Sequence, residues 1–214
     1  MTQRNQRALI VIDVQNEYVS GKLPIEFPDI DLSLGNIAQA MDEARKAGVP
    51  AIVVQHCAPV GSPLFARGGD GWALHEVVAK RPRDRLVEKK LPDAFAGTGL
   101  ADWLDDHGID TLTVVGYMTQ NCIDSTIRHA FHRGMAVEFL SDAAGTASFA
   151  NAAGFASAED IHRAFCVVLQ ARFAAVLTTA QWLELLRTGD APPRDDLYSS
   201  NQRARGVGVG EAVP

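Results

Sequence analysis

Cysteine is scarce in this sequence, with three residues in 214: Cys57, Cys122 and Cys166. Their spacing fits no metal-ligand pattern, and an odd number makes a poor disulfide framework, so neither kind of staple is expected to hold the fold. No apolar run approaches the ~20 residues of a membrane span, and the N-terminus lacks the charged-then-apolar pattern of a secretory leader. A cytoplasmic protein with no membrane partner is the expectation. Basic charge is also short, with 20 Lys and Arg against 26 Asp and Glu, a net charge of -6. Nucleic-acid recognition usually leaves a basic stripe, so nucleic acid is not expected as a partner. The basic cluster from Lys80 to Lys90 is broken by Asp84 and Glu88 and reads as a solvated face and strand edge. No GxGxxG follows the first strand-like run, which counts against a dinucleotide, and no internal repeat is present.

What is there fits one soluble core: 47% hydrophobic and 21% charged residues. Short β-rich runs alternate with segments of helical period, which predicts an α/β fold with a mainly parallel sheet. Strands are expected at Ala8 to Ile12, Ala51 to Gln55, Arg85 to Glu88, Thr111 to Val115, Ala136 to Leu140 and Ala174 to Thr178. Most are nearly continuous in Val, Ile, Leu and Ala, as strands covered on both faces should be. Helices are expected at Leu34 to Lys46, Leu100 to His107, Asn121 to Arg133, Ala158 to Phe173 and Ala180 to Arg187. Gly48, Gly108 and Gly134 stand where a left-handed helix end is wanted, and Ser157 with Asp160 resembles a capping box. The expected division is a domain over 1–188 and a C-terminal arm over 189–214, either disordered or ordered by another subunit. Two long connections rich in Gly and Pro, about Asn16 to Leu32 and Cys57 to Asp70, read as functional covers.

In an open parallel sheet, ligands bind beyond the carboxyl ends of the strands, so chemistry is sought there. Cys122 follows the strand ending near Val115 through a turn and opens a helix, where the positive end of the peptide dipole favours thiolate and predicts a nucleophile. Asp13 ends the first strand beside five apolar residues, and an acid is costly to bury there unpaired; it reads as a general base, or as a carboxylate capping the next turn. Lys89 ends the third strand on the same rim, and alternation points Lys89 and Lys90 in opposite directions.

Three stretches together, Ile12-Asp-Val-Gln-Asn, Lys89-Lys-Leu-Pro-Asp-Ala-Phe-Ala-Gly-Thr and Gly116-Tyr-Met-Thr-Gln-Asn-Cys-Ile-Asp-Ser-Thr, resemble the signatures of the isochorismatase-like cysteine hydrolases over about residues 7 to 178. The resemblance implies a six-stranded, mainly parallel doubly wound sheet in a three-layer αβα sandwich, and an Asp13, Lys89, Cys122 triad. It selects Lys89 over Lys90, because the family's lysine precedes an aromatic residue, here Phe95, by six positions. It also implies a cis peptide at Tyr117-Met118, with the backbone N–H groups of Met118 and Cys122 forming an oxyanion hole. Oligomers, dimers or tetramers, are implied as well. The activity implied is hydrolysis of a C–N bond in a small amide, carbamoyl or ureido compound without a cofactor. Relatives that cleave the vinyl ether of isochorismate generally lack the cysteine.

Around the triad, Tyr18, His56, Phe65, Trp72 and Tyr117 are candidate substrate contacts, and Phe155 a weaker one; each is equally readable as packing. The family's nicotinamidases carry Asp-x-His at the end of the second strand, but Val54-Gln55-His56 lacks the aspartate, so no metal is expected. Cys57 and Cys166 read as buried small residues. Two other classes stay open: a non-catalytic α/β module binding a small ligand, and an interaction protein recruiting a partner through its tail and loops.

Overall fold

The computed structural model describes residues 6–206. Six runs form one sheet: β1 (Arg7–Ile12), β2 (Ala51–His56), β3 (Arg85–Lys89), β4 (Thr111–Tyr117), β5 (Ala136–Gly145) and, closing it, Ala175–Leu177. Every pairing in it is parallel, and β1 and β4 lie side by side at its centre. The expected three-layer doubly wound sheet is therefore present. Side chains of β1 alternate between two cores. Ala8, Ile10 and Ile12 face one layer, and Leu9 and Val11 the other, all without exposed surface. The first layer contains α3 (Leu100–Asp106) and α4 (Asp124–His132), supplying Leu100, Leu104, Ile127 and Ala130. Against the other face lies α1 (Ile30–Lys46), whose Leu34, Ile37, Met41 and Ala44 recur at helical spacing. Burying each such aliphatic side chain stabilises the fold by roughly 1.5–3 kcal/mol.

The chain runs outward from β1 to β2 and β3, then returns to β4 on the other side of β1. That reversal opens a crevice beyond the carboxyl ends of β1 and β4. Its two sides are held close by Gly116, paired with Ile12 in register. A Cβ on Gly116 would stand 2.0 Å from the Ile12 carbonyl oxygen, and its φ of 112° suits glycine alone.

Boundaries differ from the sequence reading where local chemistry outweighs periodicity. Helix α1 starts four residues early because the Asp29 side chain accepts from the N–H groups of Asp31 and Leu32, both at 3.0 Å. The segment expected as one helix from Asn121 opens instead with a π-helical turn, Thr119–Ile123, before α4. The helix expected to reach Phe173 is α5 (Ala158–Val168) followed by a second π turn, Leu169–Phe173. Strand β5 runs to Gly145 past an irregularity opposite Val114 and Gly116. Three small elements carry no strong pattern and were not expected: α2 (Glu76–Ala79), the hairpin of β6 (Phe149–Asn151) and β7 (Gly154–Ala156), and α7 (Leu197–Ala204). The sheet's last strand, Ala175–Leu177, becomes β8, and α6 (Thr179–Thr188) follows with a complete capping box at Thr178 and Gln181. The glycines at 48, 108 and 134 all have the left-handed φ expected of them.

Beyond α6 the arm turns back on its own chain, with Gln170 Nε2 donating to Pro193 O and Arg194 to Val137 O. The glycine-rich run beyond Gly206 lies outside the described residues. No helix among the described residues is long and apolar enough to cross a membrane.

Candidate active site

Asp13 is the first residue past β1 and takes a left-handed φ of 52°, a conformation an aspartate tolerates better than most residues. Its N–H donates to Val54 O and its carbonyl accepts from Gln15 N–H, so the turn that ends the strand fixes the side chain's departure. Lys89 is the last residue of β3, and Cys122 lies within the π turn that leads from β4 into α4. These three converge from far apart in sequence. Lys89 Nζ lies 2.7 Å from Asp13 Oδ2 and 3.2 Å from Cys122 Sγ. Exposure is 0%, 1% and 4% for Asp13, Lys89 and Cys122, so their mutual electrostatics are little screened by solvent.

Burial sets the protonation states. It pushes the Cys122 thiol well above the ordinary range, the Asp13 carboxylate pushes it further, and the Lys89 ammonium opposes both. At rest, burial and the carboxylate thus favour the thiol, against the tendency of a helix N-terminus to favour thiolate. The dipole of one helical turn is too small a term to offset burial beside a carboxylate. For Lys89, burial works against the charge, but Asp13 and the Cys122 sulfur outweigh it and hold the amine above its usual value.

The Tyr117-Met118 peptide is cis, and the chain turns there out of β4. The Met118 carbonyl accepts from the N–H groups of Asn121 and Ile123, passing over that of Cys122 between them. Thr119 anchors the turn, donating to Gly145 O at 3.2 Å and lying 2.8 Å from His162 Nδ1.

Of the candidate contacts, Tyr18, His56 and Phe65 form one aromatic cluster: ring centroids are 5.1 Å apart for Tyr18 and Phe65, and 5.2 Å for His56 and Phe65. Tyr18 is buried and close enough to Cys122 and Asp13 for their charges to raise its phenol beyond what burial already does. His56 is half-buried, with Nδ1 3.4 Å from Lys89 Nζ; burial first, and then the ammonium, lower its pKa, with Asp13 opposing. Trp72 is partly exposed on the covering loop, with the Arg67 guanidinium over its ring. Tyr117 stands apart from the expectation. It has no exposed surface and its hydroxyl is taken by Ser33 at 2.7 Å, so it packs behind Tyr18 and offers a substrate no face. Phe155 is at the exposed hairpin and Cys57 is buried, whereas Cys166 is only partly buried.

Two residues that the sequence did not single out hold this cluster together. Gln15 is fully buried; its Oε1 accepts from His56 N–H at 2.9 Å, and its Nε2 donates to His56 O and Trp72 O at 3.0 and 2.7 Å. Glu17, 5% exposed, accepts from Lys22 N–H at 2.6 Å and Phe65 N–H at 3.3 Å, pinning both covering loops. A Cβ on Gly71 would lie 2.2 Å from Glu17 Oε2, so the glycine is what lets that carboxylate in. Their motif neighbours were visible, but amide and carboxylate bonds to distant backbone leave no sequence signal.

A groove of about 450 Å³ lies elsewhere, between the cis Phe27-Pro28 peptide and α5, and none of the triad lines it. Its buried edge is His162. Among the described residues, no three His, Cys, Asp or Glu side chains gather as a metal group.

The geometry has close counterparts. A crystal structure of an isochorismatase-like protein from Burkholderia xenovorans LB400 is 61% identical and superposes with a TM-score of 0.94 over 95% of this chain and 98% of that one. Streptothricin hydrolase of Streptomyces noursei is 37% identical over 143 residues, 67% of this chain and 56% of that protein. Ureidoacrylate amidohydrolase of Stutzerimonas stutzeri is 30% identical over 172 residues, 65% of this chain and 69% of that protein. The Isochorismatase domain model matches residues 7–181, which run from the first residue of β1 into α6 and take in Asp13, Lys89 and Cys122. On that span and that fold, the chain belongs to the isochorismatase family of hydrolases.

Proposed function

We propose that this protein is a cysteine hydrolase that cleaves a C–N bond of a small amide, carbamoyl or ureido substrate through an acyl-enzyme on Cys122. The observation that carries the reading is a single buried ammonium, Lys89, in contact with both a carboxylate and a thiol, at 2.7 Å and 3.2 Å. Relatives named streptothricin hydrolase and ureidoacrylate amidohydrolase support the reaction class.

The steps follow from the protonation states. Because the resting sulfur is a thiol, attack must be coupled to proton removal: Asp13 takes the S–H proton as sulfur bonds to the carbonyl carbon. Lys89 holds the developing thiolate and the carboxylate side by side. The tetrahedral oxyanion is received by the N–H groups of Met118 and Cys122; loss of one such donor commonly costs ~10² to 10³ in rate. Collapse breaks the C–N bond while Asp13 returns its proton to the leaving nitrogen. Water then adds to the thioester with Asp13 taking a proton, and the second collapse frees the carboxylic or carbamic acid and the thiol.

The aromatic cluster of Tyr18, His56 and Phe65 serves as the substrate-facing wall, with Trp72 on the covering loop above it. Three free thiols suit a reducing, cytoplasmic setting. A dimer or tetramer of the 1–188 domain is the assembly we propose.

The test is ammonia release from a panel of small amides and ureides, with the mass of the Cys122 peptide followed during turnover. Wild-type protein should release ammonia and carry a transient acyl mass on Cys122, and Cys122→Ala should do neither. A folded Cys122→Ala protein with full turnover would remove the nucleophile. Specific ligand retention without turnover by wild type would leave a binding module instead.

A further inference from the structure

Thr119 stands directly after Met118 and three residues before Cys122, at the head of the π turn Thr119–Ile123. Side chains tie that turn down from two directions. At the end of β5, Gly145 O accepts from Thr119 Oγ1 at 3.2 Å, and the Thr146 hydroxyl donates to Gln120 Oε1 at 2.6 Å. From α5, His162 Nδ1 lies 2.8 Å from the same Thr119 oxygen, although the two residues are 43 apart in sequence.

Winding of this kind is uncommon and occurs mostly as single turns at functional sites. Here the Met118 carbonyl accepts from Asn121 and Ile123 and passes over the Cys122 N–H between them. The directions of the Met118 and Cys122 N–H groups therefore follow from how the turn is held against β5 and α5. His162 is built into that hold. It is 5% exposed, its ring is edge-on to Phe27 at 5.6 Å, and its Nε2 is 3.5 Å from Cys166 Sγ. Burial keeps the imidazole neutral, so its contact with Thr119 joins two uncharged groups. The ring bonds Thr119 rather than the triad, and its influence on the sulfur runs through the backbone of the turn. Thr119 has no exposed surface, so without the imidazole its hydroxyl keeps the longer contact to Gly145 and loses the shorter one.

We propose that His162 and Thr119 are positioning residues for the reaction at Cys122: the imidazole locks the Thr119 hydroxyl, and the locked turn aims the Met118 and Cys122 N–H groups at the oxyanion. This rests on the reading of Cys122 as the nucleophile and of those N–H groups as the oxyanion hole, and extends it to a side chain on a different helix.

Two small probes of the same sulfur separate positioning from general damage. In p-nitrophenyl acetate the sulfur attacks a carbonyl, an oxyanion forms, and nitrophenolate leaves as the acetyl group passes to Cys122. In iodoacetamide it displaces iodide from a saturated carbon, and no oxyanion develops. Both reactions consume the same thiol, so a change in its acidity cancels in the ratio of acylation to alkylation. That ratio would be measured from the mass of the Cys122 peptide, quenched within the first turnover, in the folded full-length protein and in the urea-unfolded chain.

Wild type should show a higher ratio than the unfolded chain. Since a misplacement of ~1 Å costs about 10²-fold, Thr119→Val and His162→Leu should each lower the ratio by at least ~10-fold while alkylation stays near wild type. Thr119→Ser keeps the hydroxyl, and His162→Asn brings an amide to the place of Nδ1, so both should recover most of the ratio. His162→Gln carries its amide to the place of Nε2 instead and should show the loss; it decides the matter should His162→Leu or Thr119→Val fail to fold. Ratios that stay at the wild-type value in the folded variants, or acylation and alkylation rates that fall together, overturn the positioning role and leave the nucleophile intact. A wild-type ratio no higher than that of the unfolded chain removes the oxyanion hole, and this inference with it. If neither probe labels Cys122 in the folded protein though both label the unfolded chain, the nucleophile reading itself falls.

Discussion

Lys89 Nζ donates to Cys122 Sγ over 3.2 Å while that sulfur remains a thiol, so the stabilising charge is in place before the charge it will stabilise exists. Burial raises the thiol more than the ammonium lowers it. The resting enzyme should therefore show no thiolate absorbance from Cys122 at neutral pH. The difference spectrum between wild type and Cys122→Ser should develop only above the ordinary cysteine range of about 8.5. Lys89→Met should move that onset higher still and lower turnover, since the one term opposing burial is gone. A thiolate band at neutral pH in wild type would refute this order of effects.

Asp13 and Lys89 should be strongly coupled in stability as well as in catalysis. Both side chains are fully buried, so Lys89→Met strands a carboxylate without its counter-charge and should cost about 3–5 kcal/mol. Asp13→Asn should be costly in the same way. The double variant, Asp13→Asn with Lys89→Met, leaves two neutral groups and should be less destabilised than the sum of the singles by about 1–3 kcal/mol. Urea unfolding of the four proteins measures that difference. Additive losses would mean that the pair contributes nothing beyond its separate burials.

The sheet was legible because unbroken apolar runs mark its strands, and Asp13 and Lys89 stood out as polar residues at strand ends, whereas the triad as a set was legible only through the resemblance carried by three motifs. What the sequence could not carry was the sign of the largest electrostatic term. A helix N-terminus is visible in a string of residues, whereas the desolvation of Cys122 depends on chain segments folding over it. Gln15 and Glu17 were opaque for a related reason, since Gln15 bonds the backbone of His56 and Glu17 that of Phe65, each forty or more residues away. Glu138 belongs with them. It lies buried in mid-sheet and binds Arg7, Thr113 and the Trp182 indole, three partners that no local motif joins to it.

Stability should fall with acidification through His162. Burial lowers its pKa from 6.5 to about 4, with a backbone bond to Ser141 opposing. The sign follows from the depressed folded value: below about 6.5 the unfolded chain binds a proton that the folded chain refuses, so the contribution, complete above 6.5, is lost as pH falls towards 4. Its size is at most roughly 3 kcal/mol. Unfolding free energies for wild type and His162→Gln should converge over that window, because the variant has no imidazole to titrate. Parallel curves would place the acid sensitivity in other groups.

Gly116 sets how near Asp13 and Cys122 can come, and its replacement tests whether that approach is structural, catalytic or both. At φ 112°, with Ile12 O 2.0 Å from the position a Cβ would take, alanine must push β4 away from β1. The clash is against backbone and cannot be relieved by a rotamer. Gly116→Ala should therefore lose more than about 3 kcal/mol of stability, and any folded fraction should turn over substrate far more slowly. Gly48→Ala provides the control: it has a left-handed φ of 71° but open space around the added methyl, so it should cost only about 1 kcal/mol and leave kcat unchanged. If both variants lose stability equally and both keep their activity, the narrow contact between the central strands is not what brings the carboxylate and the sulfur together.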